Sequence, residues 1–152
     1  MILLLGRTFG VCCFSIFFTI LIAMPSKPRK TVLIVEDDDV QLRRLVAEIR
    51  DFGYHVIPAS NGMEGLDAFL KDEPDIVVSN IHMPLLNGFQ LLAAIKRVSP
   101  TIPYILTTGF GHFRKFFPEK VAMADAFFEK PLDYGLLSDR IGELTKDSKK
   151  QL

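Results

Sequence analysis

Thr31-Val32-Leu33-Ile34-Val35, followed at once by Glu36-Asp37-Asp38-Asp39, is the stretch on which the fold of this chain turns. Five residues, four of them β-branched, suit a strand buried on both faces, and the acids end it abruptly. Such strands belong to parallel sheets sandwiched between helices, and the flanking sequence supplies the helices. From Val40 to Phe52 apolar residues fall at positions 42, 45, 46 and 49, one face of a helix. Gly53 stands where a C-terminal glycine ends it. His55 to Ala59 reads as a second strand. Asn61, with Glu64 three residues on, opens a helix that runs to about Lys71.

The alternation continues outward. Ile76-Val77-Val78-Ser79 reads as the third strand, Gly88 to Val98 as the next helix and Tyr104-Ile105-Leu106-Thr107 as the fourth strand. A glycine-broken loop and a helical segment interrupted by Pro118 follow. Ala126-Phe127-Phe128-Glu129 is the fifth strand, and Leu132 to about Leu144 closes the domain. Strands alternating with helices predict an α/β, doubly wound parallel sheet with helices on both faces, because crossovers are right-handed. Ligands on such sheets bind beyond the carboxyl ends of the strands.

Polar groups gather at those ends. Strand one is followed by Glu36 and Asp37, strand three by Asn80-Ile81-His82-Met83-Pro84, strand four by Thr108-Gly109 and strand five by Lys130-Pro131. An acid after a strand is usually a helix cap, and a lysine before proline is usually a surface turn. Their joint placement points to one shallow polar pocket. Asp38 and Asp39 are N-cap candidates and not ligands.

The runs Val-Leu-Ile-Val-Glu-Asp-Asp at 32–38, Met-Pro-Leu-Leu-Asn-Gly at 83–88, Leu-Thr-Thr-Gly at 106–109 and Glu-Lys-Pro at 129–131 resemble receiver domains of two-component response regulators, including the chemotaxis-type single-domain regulators. The resemblance covers residues 31–145 in family order and spacing. It implies a flavodoxin-like fold with strand order 2-1-3-4-5. It further implies that Glu36, Asp37 and the His82 backbone carbonyl hold Mg2+, a hard cation suited to oxygen ligands. Thr108 and Lys130 would contact a phosphoryl group, and Phe127 matches the aromatic switch position. An ordinary core role for Phe127 has equal weight.

The departure lies at the centre. Asn80 occupies the position of the phosphate-accepting aspartate. A carboxylate attacks phosphorus with a charged oxygen; an amide oxygen is neutral and its lone pair is delocalised toward nitrogen. No stable acyl phosphate can form there, and neighbouring Ser79 points to the opposite face of its strand. One of three negative charges is also gone. Two unit charges about 4 Å apart interact by about 4 kcal/mol at an effective dielectric of 20, so weakened Mg2+ binding is expected.

Composition limits the alternatives. The 152 residues suffice for one domain, and 49% hydrophobic residues with 13 Phe exclude a disordered chain. The 18 basic and 18 acidic side chains cancel, yet residues 1–30 hold four bases and no acid, leaving 31–152 at a net −4. That balance disfavours nucleic-acid binding. Between Arg7 and Lys27 lie 19 uncharged residues, including Cys12 and Cys13, which as neighbours make neither a disulfide framework nor a zinc site. The hydrophobic segment 1–24 has two open readings. As an anchor it is just long enough to span a bilayer, with Lys27, Arg29 and Lys30 of the basic linker 25–30 keeping the receiver domain cytoplasmic. Alternatively translation starts at Met24 and the protein is simply cytoplasmic. A signal peptide lacks its cleavage site. Residues 146–152 read as a solvated tail.

These features predict a non-enzymatic, non-phosphorylatable, stand-alone interaction module in a phosphorelay. Its partner would be a histidine kinase, a phosphotransfer protein or a downstream effector, reading the helix four–strand five–helix five surface. Two alternatives are a conventional receiver carrying an engineered or erroneous Asp-to-Asn change, and a phosphatase or phosphotransferase of related α/β fold. The latter expects an aspartate nucleophile where Glu36 stands.

Overall fold

Side chains along β1 (Thr31–Val35) alternate between two cores, as the period of a strand requires. Leu33 and Val35 enter one core and Val32 and Ile34 the other. The computed structural model describes residues 29–147. The apolar segment 1–24, most of the basic linker and the tail from residue 148 lie outside them. Among the described residues, no helix is long and apolar enough to cross a membrane.

After β1 come α1 (Asp39–Asp51), β2 (His55–Ala59), α2 (Gly62–Asp72), β3 (Ile76–Asn80), α3 (Gly88–Val98) and β4 (Tyr104–Thr108). Two single-turn helices, α4 (Phe113–Phe116) and α5 (Pro118–Val121), precede β5 (Ala126–Glu129) and α6 (Tyr134–Asp147). The five strands pair in parallel in the order β2-β1-β3-β4-β5. On one face Leu33, Val77 and Leu106 pack against Phe69 of α2 and Leu91, Leu92 and Ile95 of α3. On the other, Ile34, Val78 and Ile105 pack against Leu45 and Ile49 of α1 and Leu137 and Ile141 of α6. This is the flavodoxin-like arrangement that the sequence predicts.

Local signals fall where expected, with informative exceptions. Asp38 caps α1, its carboxylate accepting from the N–H groups of Val40 and Gln41 at 2.9 and 2.8 Å; Asp39 is the first helical residue. Asn61 caps α2, and Glu64 returns to Ser60. Gly53 takes φ +93°, the left-handed conformation its position demands. The last helix starts at Tyr134, two residues later than expected, because Asp133 accepts from Leu136 N–H and serves as the cap. It runs to Asp147, so the first two residues of the expected tail are helical. The fourth helical segment is broken in two: Phe117 (φ −134°, ψ 56°) ends α4, and Pro118 opens α5, where its missing N–H is of no consequence.

Candidate functional site

Five strand ends meet at one edge of the sheet, and backbone hydrogen bonds beyond the strands hold the loops together. Glu36 N–H donates to the Ala59 carbonyl (3.1 Å), Ile81 N–H to Thr107 (2.9 Å) and Lys130 N–H to Thr108 (2.7 Å). The Lys130–Pro131 peptide bond is cis. The β3–α3 loop is drawn in by Gly88, whose N–H donates to the Ile81 carbonyl at 2.9 Å. A Cβ at Gly88 would lie 2.4 Å from the Asn80 carbonyl oxygen, so only glycine permits this approach.

Asn80 lies at the centre, 8% exposed. Its Nδ2 donates to the His82 carbonyl (2.9 Å), to Asp37 Oδ1 (3.0 Å) and, with the longest contact, to Glu36 Oε1 (3.3 Å). Two hydrogens thus serve three acceptors. The reverse orientation of the amide would set an oxygen against three oxygens, so the partners dictate which way the group faces. These acceptors are the three groups that the resemblance assigns to Mg2+.

Glu36 is 2% exposed, and Lys130 Nζ donates to its other oxygen at 2.7 Å. Burial pushes the Glu36 carboxyl above the ordinary glutamate value, while the hydrogen bond and charge of Lys130 pull it back. Asp38 is held below the usual carboxylate range by the backbone N–H of Gln41 above all. With two carboxylates against one ammonium, the cluster carries a net negative charge.

The oxygen donors that would hold Mg2+ are engaged within the pocket. Both carboxylates and the carbonyl already accept from the Asn80 amide, and Lys130 neutralises the buried acid. Among the described residues, no three His, Cys, Asp or Glu side chains are grouped to hold a metal. Entry of an ion would require the amide to turn and Glu36 to loosen its lysine.

Of the residues singled out from sequence, Glu36, Asp37, Asn80, the His82 carbonyl and Lys130 form one hydrogen-bonded cluster. Thr108 joins through its backbone. Its buried Oγ1 accepts from Phe110 N–H at 3.1 Å and reaches none of the others. Ser79 is fully buried and donates to the Asn80 carbonyl, which bars it as a surrogate nucleophile. Phe127 faces inward, its ring stacked on Phe113 at 5.9 Å with the Arg114 guanidinium 5.5 Å above it.

In the sequence Asn80 reads as a missing carboxylate; in the structure it is a donor. The signal was available in the two acids that end β1, which need a partner once a cation is weakened. Of the three rings in Phe113-Arg114-Lys115-Phe116-Phe117, which as a sequence suit either local core or an exposed patch, Phe113 is core, a hub whose ring lies within 6.2 Å of those of His82, Phe89, Phe110, Phe117 and Phe127.

The chain is similar to the transcriptional regulatory protein GlrR of Escherichia coli, at 33% identity over 129 residues, which is 82% of this chain but only 28% of that protein. It is 28% identical over 110 residues to sporulation initiation phosphotransferase F of Bacillus subtilis, covering 72% of this chain and 89% of that one. Among solved structures, the response regulator TrrA of Thermotoga maritima, in complex with Mg2+–BeF, superposes with a TM-score of 0.69 at 27% identity, covering 76% of this chain and 98% of that one. Residues 32–142 match the response regulator receiver domain family. With the strand order and the strand-end residues already described, that match places the chain in this family: it carries a receiver domain of two-component signalling.

Proposed function

We propose that this receiver accepts no phosphoryl group and acts as a protein-interaction module, without enzymatic activity, whose site is set by its own amide. The observation that carries this reading is the Asn80 Nδ2 group donating to Glu36, Asp37 and the His82 carbonyl. A neutral –NH2 provides there part of the electrostatic relief that a cation provides elsewhere, and it offers phosphorus no nucleophile. A phosphotransfer role like that named for the Bacillus relative requires an acceptor carboxylate at the position where Asn80 stands. Mg2+ binds weakly in this reading. Thr108 and Lys130 keep phosphate-contact positions without a phosphate to contact, and Phe127 packs its ring on Phe113. The partner is a histidine kinase, a phosphotransfer protein or an effector that reads the surface of α4–α5, β5 and α6.

Incubation with acetyl phosphate followed by intact mass measurement tests the reading. The native chain is expected to show no added phosphoryl group, and Asn80→Asp to show one. A phosphoryl adduct on the native chain, mapped to this pocket, overturns it.

Location follows from residues 1–24. We propose a cytoplasmic receiver domain, held at the membrane if that segment is translated as an anchor. In that case the full-length protein pellets with membranes and resists extraction by high salt. Native protein beginning at Met24 in the soluble fraction would rule the anchor out.

A further inference from the structure

The chain has three asparagines, and all lie along the edge of the sheet that forms the site. Asn61 caps α2, Asn80 ends β3 and Asn87 caps α3. Asn61 and Asn87 are each followed by glycine, Asn80 by isoleucine. The difference bears on chemistry. Asparagine is thermolabile because the backbone nitrogen of the next residue can attack its side-chain carbonyl carbon. Glycine leaves that nitrogen open, whereas a β-branched side chain crowds it. By sequence alone the two Asn-Gly pairs are equivalent.

The structure separates them. At Asn87 both reacting groups are held. Gly88 N–H donates to the Ile81 carbonyl at 2.9 Å, and the Asn87 side-chain oxygen accepts from Phe89 and Gln90 N–H at 3.1 and 3.0 Å. The Gln90 side chain returns to the Asn87 N–H at 3.0 Å and closes a capping box. At Asn61 the side-chain oxygen accepts from Glu64 N–H alone, at 2.9 Å. Gly62 N–H, in the first turn of its helix, has no acceptor among the described residues. Exposure does not distinguish the pairs: both asparagines are half-buried and both glycines buried. Asn80 is held most firmly, its Nδ2 among three acceptors and the Ile81 N–H on the Thr107 carbonyl at 2.9 Å.

We propose that Asn61 is a site of spontaneous deamidation, from which the fold protects Asn80 and Asn87. The step needs the first turn of α2 to open, because Gly62 lies against the Leu86 carbonyl, where a Cβ would collide with the oxygen. Fraying of an end turn lies at the low end of local unfolding energies. In the open turn the Gly62 nitrogen gives its proton to hydroxide and bonds to Asn61 Cγ. The Cγ–Nδ2 bond breaks, and ammonia leaves with a proton taken from water. Water then opens the cyclic imide at either carbonyl, leaving aspartate or isoaspartate and one more negative charge. Aspartate caps a helix as well as asparagine does. Isoaspartate does not: it adds a methylene to the main chain before Gly62, pulling Gly62 off Leu86 and loosening the β3–α3 loop that also carries the His82 carbonyl.

The test keeps the full-length chain at mildly alkaline pH and follows each asparagine by peptide mapping and mass. With two fewer hydrogen bonds at its reacting atoms, Asn61 should convert at least about tenfold faster than Asn87, and Asn80 should stay an amide. In urea, where the caps are gone, Asn61 and Asn87 should convert at similar rates and Asn80 remain the slowest. A methyltransferase specific for isoaspartate should label the aged native chain but not aged Asn61→Ser, which keeps a capping oxygen. Asn61→Asp should melt like the unaged chain, and the labelled fraction should melt lower. Equal rates at Asn61 and Asn87 in the native chain, conversion of Asn80 ahead of Asn61, or no conversion at Asn61 in the native chain overturns the proposal. A phosphoryl adduct on the unaged chain would overturn the interaction-module reading and leave the deamidation result intact.

Discussion

Replacing Asn80 with aspartate removes the donor that holds the pocket together and sets a third carboxylate where the amide was. Its oxygens would fall about 3 Å from Asp37 and Glu36, to judge from the 3.0 and 3.3 Å contacts of Nδ2. One like-charge pair about 4 Å apart costs about 4 kcal/mol at an effective dielectric of 20, and here there are two. The protein has an escape that caps the penalty, since one carboxyl can take up a proton. From an ordinary carboxylate value near 4, doing so at pH 7 costs about 3 × 1.36, or about 4 kcal/mol. The metal-free Asn80→Asp protein should therefore lose about 2–4 kcal/mol, a fall in Tm of very roughly 8–15 °C for a domain of this size. Mg2+ should restore most of it: a ligand at about 100 times its Kd adds roughly 2.7 kcal/mol. The native chain, its acceptors already satisfied, should barely respond. Thermal melts of both proteins with chelator and with millimolar Mg2+ make the comparison. An Asn80→Asp protein as stable as the native chain in chelator, or an equal Mg2+ response of the native chain, would refute the assignment of the amide as a substitute for the ion.

Two further outcomes follow from the same pocket. Lys130→Met strands a buried carboxylate and should cost about 3 kcal/mol at neutral pH. Because burial already raises the Glu36 pKa above its unfolded value of 4.5, the folded state takes up its proton more readily than the unfolded chain. Stability from this group is then greatest below that unfolded value and falls as pH rises through the folded pKa, so the deficit should narrow on acidification; denaturant titrations across pH that show a constant deficit would contradict this. Gly88→Ala would place a methyl 2.4 Å from the Asn80 carbonyl oxygen and should cost about 2–3 kcal/mol, measured by chemical denaturation, with the Asn80 amide signals shifted in NMR spectra.

Strands and caps were legible in the sequence because single residues decide them. The run Val32–Val35 can be buried only on two faces, Asp38 can reach the first N–H groups of α1, and Gly53 alone tolerates φ +93° without strain. The convergence of Glu36, Asn80 and Lys130 was legible from topology, since each follows a strand at the same edge. Two features were not. The donor role of Asn80 depends on three acceptors contributed by two separate loops, which no local pattern encodes. The packing of Phe117 on Phe113 depends on how the chain turns where Pro118 breaks the helix, and a proline marks the break without fixing the direction of the ring. Leu132 fits a helical apolar pattern, whereas the capping carboxylate of Asp133 decides where α6 starts.

A carboxyl phosphate is a record: it is written by one encounter, persists for a time, and is erased by hydrolysis. If the amide at Asn80, with its hydrogens shared among Glu36, Asp37 and the His82 carbonyl, takes up no phosphoryl group as proposed, it keeps no such record. A domain of that kind would have no clock. Its output would then be set by how much of it is present and which partners are within reach, that is, by number and place.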